Sequence, residues 1–100
     1  MFFQATVEIA PHYIDGYYNI GVLYSEQERL EEAIRVFQIT VEIDSDFVPG
    51  YVNLGTLYSN VGRLEEAIRS FQMAIEINPS FAPAYYNFGY LYADHDRTSN

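Results

Sequence analysis

The chain contains an internal repeat with a period of 34 residues, and this period restricts its possible folds more than any single motif. When residues 14–47 are aligned with residues 48–81, nineteen of the 34 positions are identical. Self-similarity at this spacing is typical of small supersecondary units that stack along an axis, because one unit alone cannot bury its apolar side. The sequence therefore predicts an array of repeats and not a closed globule.

Each repeat is predicted to fold as a hairpin of two α-helices. On a helical wheel, Tyr17, Ile20, Gly21 and Tyr24 fall within about 100° of one another, which is the width of a core-facing stripe. The second helix of the hairpin has a similar apolar side. We predict six helices, over about residues 2–10, 14–27, 30–44, 48–61, 64–78 and 82–94.

The predicted organisation is two complete repeats between two partial ones. Residues 1–13 align with the second helix of a repeat, residues 14–47 and 48–81 are the complete repeats, and residues 82–96 align with a first helix. Residues 97–100 are expected to form a frayed tail. From these alignments we expect the chain to be a piece of a longer array.

The recurring residues resemble the signature of the tetratricopeptide repeat family. That signature places an aromatic residue, a large apolar residue, a glycine and a tyrosine on the first helix, and an alanine and a phenylalanine on the second. The matching residues are Tyr17, Gly21, Tyr24, Ala33 and Phe37, which return as Tyr51, Gly55, Tyr58, Ala67 and Phe71. The resemblance implies an all-α fold, a right-handed superhelical stack of antiparallel helix hairpins.

The turn between the two helices of a hairpin differs between the repeats. Gly62 stands at this turn in the second repeat, and Glu28 takes the same place in the first. Glycine adopts positive φ without a steric cost, whereas glutamate does not. A matching turn in the first repeat would therefore cost free energy.

The charge of the chain excludes some classes of partner. Fourteen acidic residues against five arginines give a formal net charge of -9. Such a chain repels phosphate groups, so nucleic acid and anionic membranes are not expected partners. The sequence has no cysteine, no apolar run long enough to span a bilayer and no start typical of a signal peptide. We expect a cytoplasmic protein.

Three asparagines recur at the 34-residue spacing without being needed for the core: Asn19, Asn53 and Asn87. In the resembled family the first helices line the concave side of the superhelix, and a similar asparagine ladder grips peptide backbone in the O-linked N-acetylglucosamine transferases. An amide offers donors and an acceptor together, so a row of amides can hold an extended peptide. The alternative is that these amides only bond to a neighbouring helix or its backbone.

The other candidate peptide-binding residues lie beside this ladder on the first helices: Tyr18, Val22, Thr56, Tyr86 and Tyr90. The tyrosines are of the amphipathic kind enriched in binding hot spots. A second branch of the family clamps a C-terminal carboxylate with cations, but Tyr18, Val52 and Tyr86 stand where such a clamp needs lysine. The groove is therefore expected to prefer a neutral, apolar or basic segment of a protein or peptide.

Apolar residues at both ends of the predicted array favour an alternative function, self-assembly. In a longer array a neighbouring helix would cover these terminal residues, which are Phe2, Phe3, Val7, Phe88, Leu91 and Tyr92. The end of one molecule could dock on the start of another, or two molecules could exchange terminal helices. On this ground the sequence predicts a homo-oligomer.

Enzyme function finds little support in the sequence. His12 follows Pro11 near a helix start, while Asp94, His95 and Asp96 lie together at a helix end, where adjacent side chains point in different directions. There is no glycine-rich phosphate loop and no nucleophile placed beside a base. We therefore expect a non-catalytic chain without a cofactor or a bound metal.

Overall fold

The computed structural model describes residues 14–80 together with Asn87, Gly89 and Ala93. Residues 14–80 form four helices, α1 (Ile14–Glu26), α2 (Leu30–Ile43), α3 (Val48–Asn60) and α4 (Leu64–Ile77), and contain no strand. Each helix begins where the sequence predicts and ends one residue earlier. Two of the six expected helices, at residues 2–10 and 82–94, fall outside the described residues, except that Asn87, Gly89 and Ala93 are helical.

The helices pack in the order in which they occur along the chain. Helix α1 packs against α2, α2 against α3, and α3 against α4. The all-α stack of helix hairpins is therefore confirmed. Among the helices described here, none is both long enough and apolar enough to cross a membrane.

The core of each hairpin is a phenylalanine packed on a glycine. Phe37 and Phe71 are 0% and 2% exposed. A Cβ atom added to Gly21 would lie 2.7 Å from Cζ of Phe37, and one added to Gly55 would lie 2.6 Å from Cζ of Phe71. Glycine recurs in the middle of the first helix, despite its low helix propensity, because only a residue without a Cβ admits the phenylalanine ring.

The turn inside each hairpin has the same backbone path in both repeats. Glu28 has a φ of 64° and Gly62 a φ of 85°. The amide that follows donates back to the first helix, from Arg29 to the Tyr24 carbonyl at 2.9 Å and from Arg63 to the Tyr58 carbonyl at 2.8 Å. Glu28 thus adopts the left-handed conformation, at a cost of about 1–2 kcal/mol for a residue with a Cβ.

The connection between hairpins is closed by a side chain at the end of the second helix. Oδ1 of Asp44 accepts a hydrogen bond from the Asp46 amide at 3.0 Å, and Oδ1 of Asn78 accepts one from the Ser80 amide at 3.2 Å. These are Asx-turns, in which the side chain replaces a backbone acceptor. The two repeats can therefore share one connection although Ser45 stands where Pro79 stands.

Candidate functional site

A groove runs between α1 and α3, the first helices of the two hairpins. It contains a cavity of about 370 Å³. We call it the groove cavity, and its lining residues are Ser25, Glu28, Leu30, Asn53, Thr56, Leu57 and Asn60. Helix α3 supplies most of the lining, whereas α1 supplies Ser25 and the adjoining turn supplies Glu28. This is the face on which the sequence places the peptide-binding residues.

The three ladder asparagines have different surroundings. Asn19 is exposed on α1, whereas Asn53 on α3 and the helical residue Asn87 are half-buried. Of the three, Asn53 lines the groove cavity. The equal spacing in sequence therefore does not give Asn19 and Asn53 equal burial.

Asn53 is held by two hydrogen bonds from its side-chain amide. Nδ2 donates to the Pro49 carbonyl at 2.8 Å, within its own helix, and to the Tyr18 hydroxyl at 3.1 Å, on the helix of the preceding repeat. An amide nitrogen carries two hydrogens, so these two bonds occupy both of its donors. The arrangement is the helix-to-helix bond that the sequence left open as an alternative, and it leaves Oδ1 of Asn53 as the acceptor available to a ligand.

Tyr18 contributes its ring to the joint between the repeats. It is half-buried, with edge-to-face contacts to Phe37 at 5.6 Å and to Phe47 at 5.5 Å between ring centroids. Such pairs contribute about 0.5–1.5 kcal/mol beyond the buried area. Tyr18 therefore stabilises the packing of the two repeats and orients the Asn53 side chain. Its predicted contact with a peptide is a separate role that stays a prediction.

Two hydroxyls of the groove cavity donate to their own helices. Ser25 Oγ donates to the Gly21 carbonyl at 3.0 Å, and Thr56 Oγ1 donates to the Val52 carbonyl at 3.1 Å. A hydroxyl has one donor and two acceptor lone pairs, so each keeps acceptor capacity toward the groove. Val22, the remaining described residue of the predicted site, is half-buried and packs against the core.

The arginines of residues 14–80 leave the groove cavity without a cation. The Arg29 guanidinium lies 4.7 Å from the Tyr24 ring centroid and 2.7 Å from Glu32, and that hydrogen bond holds the pKa of Glu32 below its ordinary value. Arg63 repeats this arrangement with Glu66 at 2.6 Å and likewise lowers the pKa of that carboxyl. Neither arginine lines the cavity.

A second cavity, of about 460 Å³, lies on the other side of α3 between α2 and α4. We call it the outer cavity. Gln38 Nε2 on α2 donates to the Tyr58 hydroxyl at 2.7 Å, and Arg69 on α4 lines the same space. The sequence analysis did not identify this cavity. It lies between α2 and α4, the second helices of successive repeats. The repeat period in the sequence could have indicated that such a space exists.

Several sequence predictions lie outside the described residues. They include the tyrosines Tyr86 and Tyr90, the terminal apolar residues Phe2, Phe3, Val7, Phe88, Leu91 and Tyr92, and the polar residues His12, Asp94, His95 and Asp96. Within the part of the chain that the structure describes, no group of three histidine, cysteine or acidic side chains is arranged to hold a metal ion.

Three family models described as tetratricopeptide repeat match the chain, at residues 14–47, 48–81 and 70–99. No curated protein sequence matches it.

The solved structures that share the fold include two with similar titles. One, titled "Crystal structure of MamA", is 25% identical with a TM-score of 0.80 and covers 83% of this chain and 48% of its own. The other, titled "Crystal structure of MamA protein", is 26% identical with a TM-score of 0.76 and covers 80% and 44%. The chain thus spans less than half the length of either structure.

Proposed function

Because the chain belongs to the tetratricopeptide repeat family, we propose that the groove between α1 and α3 binds an extended or helical peptide segment of a partner protein. Repeats of this family are protein-interaction modules, typically without catalytic activity. The net charge of -9 favours a neutral, apolar or basic segment over an acidic one. We also propose a cytoplasmic location.

The observation that carries the proposal is the groove cavity itself. Asn53, Thr56 and Asn60 lie on one helix and face Ser25 across the groove, above an apolar wall that includes Leu57. Concave sites with an apolar wall and a few placed polar groups are typical of binding sites. Rigid helices hold these groups, so little ordering is required when a peptide binds.

Asn53 combines structural and binding roles in this proposal. Its bonds to Tyr18 and Pro49 fix the amide plane, so that Oδ1 is oriented before a ligand arrives. Asn87 stands one repeat further on, where the residue equivalent to Tyr18 is Val52, which has no hydroxyl. We propose that Asn87, Asn19, Tyr86 and Tyr90 extend the same peptide-binding surface.

The proposal can be tested with a random peptide library displayed on phage. Peptides selected on the wild-type chain are then measured against Thr56→Arg, which fills the groove at an exposed position of α3. The matched control is Gln72→Arg, which makes the same charge change at an exposed position of α4. We expect Thr56→Arg to weaken binding about tenfold or more and Gln72→Arg to leave it nearly unchanged.

Two results would overturn peptide binding in the groove. One is a library that yields no peptide binding the wild-type chain. The other is a set of peptides for which both arginine variants bind alike. Circular dichroism of both variants shows that the helices remain formed.

A second candidate function, self-assembly, is favoured by the exposure of Leu23. This residue of α1 is 55% exposed, whereas Leu57 at the equivalent position of α3 is 4% exposed. Leu57 belongs to the core cluster with Ala33 and Ile34 of the preceding repeat. We propose that a second copy of the chain covers Leu23 in the same way, beside the terminal residues predicted from the sequence.

Leu23→Glu tests this second candidate, with Gln72→Glu as the matched control for charge. Light scattering at millimolar protein should show association of the wild-type chain that Leu23→Glu weakens and Gln72→Glu preserves. A monomeric wild-type chain at that concentration, or equal association of all three chains, would remove the candidate.

A further inference from the structure

Several polar side chains of the groove cavity have occupied hydrogen-bond donors but keep acceptors. Both amide hydrogens of Asn53 are occupied, and the hydroxyls of Ser25 and Thr56 donate to carbonyls of their own helices. What these side chains can still offer to a ligand is acceptor capacity. Three of the polar side chains around the cavity therefore require donors from whatever binds there.

The charge of the cavity lining also favours a ligand that donates hydrogen bonds. Glu28 is the one charged residue among the lining residues of the groove cavity. Its neighbour Arg29 does not neutralise the site, because its guanidinium is bonded to Glu32 at 2.7 Å. The arginine that follows Glu28 in the sequence is thus already paired with another carboxylate.

The helix ends around the cavity add partial charges, mostly negative. Ser25 lies in the last turn of α1 and Asn60 is the last residue of α3, so the C-terminal ends of two helices adjoin the cavity. The first residue of α2, Leu30, brings one N-terminal end of opposite sign. C-terminal helix ends favour cations and N-terminal ends favour anions, so the balance is toward a cation.

The apolar part of the lining fits the stem of a long cationic side chain. Leu30 and Leu57 line the cavity beside its polar groups. Arginine and lysine bury their methylene stems against such surface while the charged head reaches polar partners. Arginine carries five donors and no acceptor, which complements a lining whose donors are occupied.

We propose that the groove cavity is an arginine pocket, in which Glu28, Asn53 Oδ1 and the hydroxyls of Ser25 and Thr56 accept hydrogen bonds from an arginine of the partner segment. This assignment rests on the proposed peptide-binding function of the groove and specifies one residue of the peptide. It predicts that the peptide is anchored by a positively charged side chain between α1 and α3.

A small probe tests the pocket without a known partner. N-acetyl-arginine amide is titrated into the ¹⁵N-labelled chain, and its neutral isostere N-acetyl-citrulline amide is titrated in parallel. We expect the arginine probe to shift the backbone amide signals of Ser25, Thr56 and Asn60, and the citrulline probe to bind about tenfold more weakly.

Variants separate the pocket from the general negative charge of the chain. Glu28→Gln should weaken binding of the arginine probe at least threefold, or about 0.7 kcal/mol at 1.4 kcal/mol per tenfold. Glu76→Gln, at an exposed position of α4, removes the same charge and should change binding little. Equal binding of the two probes, or equal effects of the two variants, would overturn the arginine pocket.

The selected peptides distinguish this inference from the function on which it rests. In each peptide that binds the groove, every arginine is replaced in turn by citrulline. If one replacement lowers affinity about tenfold in the wild-type chain and much less in Glu28→Gln, the pocket is occupied as proposed. If the peptides are sensitive to Thr56→Arg but insensitive to every citrulline, the groove binds peptides and the arginine pocket is wrong.

Discussion

The two complete repeats, 14–47 and 48–81, have the same skeleton and different surfaces. Both place a phenylalanine on a glycine, and both turn through a residue with positive φ. They differ where a repeat meets its neighbours. Tyr18 of the first repeat is Val52 in the second, and the leucine that both repeats share is exposed as Leu23 but buried as Leu57. The shared residues thus define the fold of the hairpin, but the exposure of a shared residue depends on what packs against each hairpin.

The largest effects are expected at the shared skeleton, where the two repeats should respond alike. Phe37→Ala and Phe71→Ala each remove a fully buried ring and should each destabilise the chain by about 3–5 kcal/mol. Urea unfolding followed by circular dichroism measures this, with Gln72→Ala on the exposed face as the control. A cost below about 1 kcal/mol in one repeat alone would show that the two cores are not equivalent.

A smaller effect, of opposite sign in the two repeats, is expected at Gly16 and Gly50, which occupy equivalent positions. A Cβ added to Gly50 would lie 2.8 Å from Cγ1 of Val41, whereas one added to Gly16 meets no atom within 4 Å. Gly50→Ala should therefore destabilise the chain by about 1–3 kcal/mol through overpacking. Gly16→Ala should stabilise it by about 0.5–1 kcal/mol through helix propensity.

The same urea experiment decides this comparison without a further control, because each glycine is the control for the other. Equal changes at both positions would mean that the close contact with Val41 relaxes freely. The environment of the first helix would then be the same in both repeats.

Much of this architecture could be predicted from the sequence, because it depends on residues that recur. The bounds of α1 to α4 follow from the apolar period to within one residue, and the repeated glycine indicates a close approach of the partner helix but does not identify Phe37. The hydrogen bond from Asn53 to Tyr18 could not be predicted in this way. It joins residues 35 positions apart and depends on how closely successive hairpins stack.

The outer cavity was missed for a related reason. A solvated helix face and the wall of a cavity have the same polar composition, so Gln38 carried no signal of its own. Between α2 and α4 the cavity is lined by Tyr51, Leu54 and Tyr58 of α3. A periodic sequence predicts that such a gap exists but not how wide it is.

The turns provide a third comparison, with an effect of about 1 kcal/mol. Glu28→Gly gives the first turn the residue of the second and should stabilise the chain by up to about 1 kcal/mol, because glycine adopts a φ of 64° without strain. Gly62→Ala should destabilise it by about 1 kcal/mol for the reverse reason. Thermal unfolding of both variants measures the difference. A destabilised Glu28→Gly chain would indicate that contacts of the glutamate outweigh its strain.

The smallest effect concerns the exposed ion pairs beside these turns, and it depends on pH. Arg63 holds Glu66 through two bonds, at 2.7 and 2.6 Å, whereas Arg29 holds Glu32 through one at 2.7 Å. In both repeats the hydrogen bond lowers the pKa of the carboxyl below its ordinary value of 4.5. A carboxyl whose folded pKa is lowered stabilises the chain above its unfolded pKa, and this contribution disappears as the pH falls through the folded pKa.

The pH effect should therefore be larger in the second repeat than in the first. Glu66→Gln is expected to lower stability at pH 7, and the difference from wild type should shrink as the pH falls below 4.5. Glu32→Gln should show the same trend with a smaller amplitude, because one bond is lost instead of two. Urea unfolding at several pH values measures both. A difference for Glu66→Gln that stays constant across this pH range would mean that packing of the side chain, and not its charge, stabilises the turn.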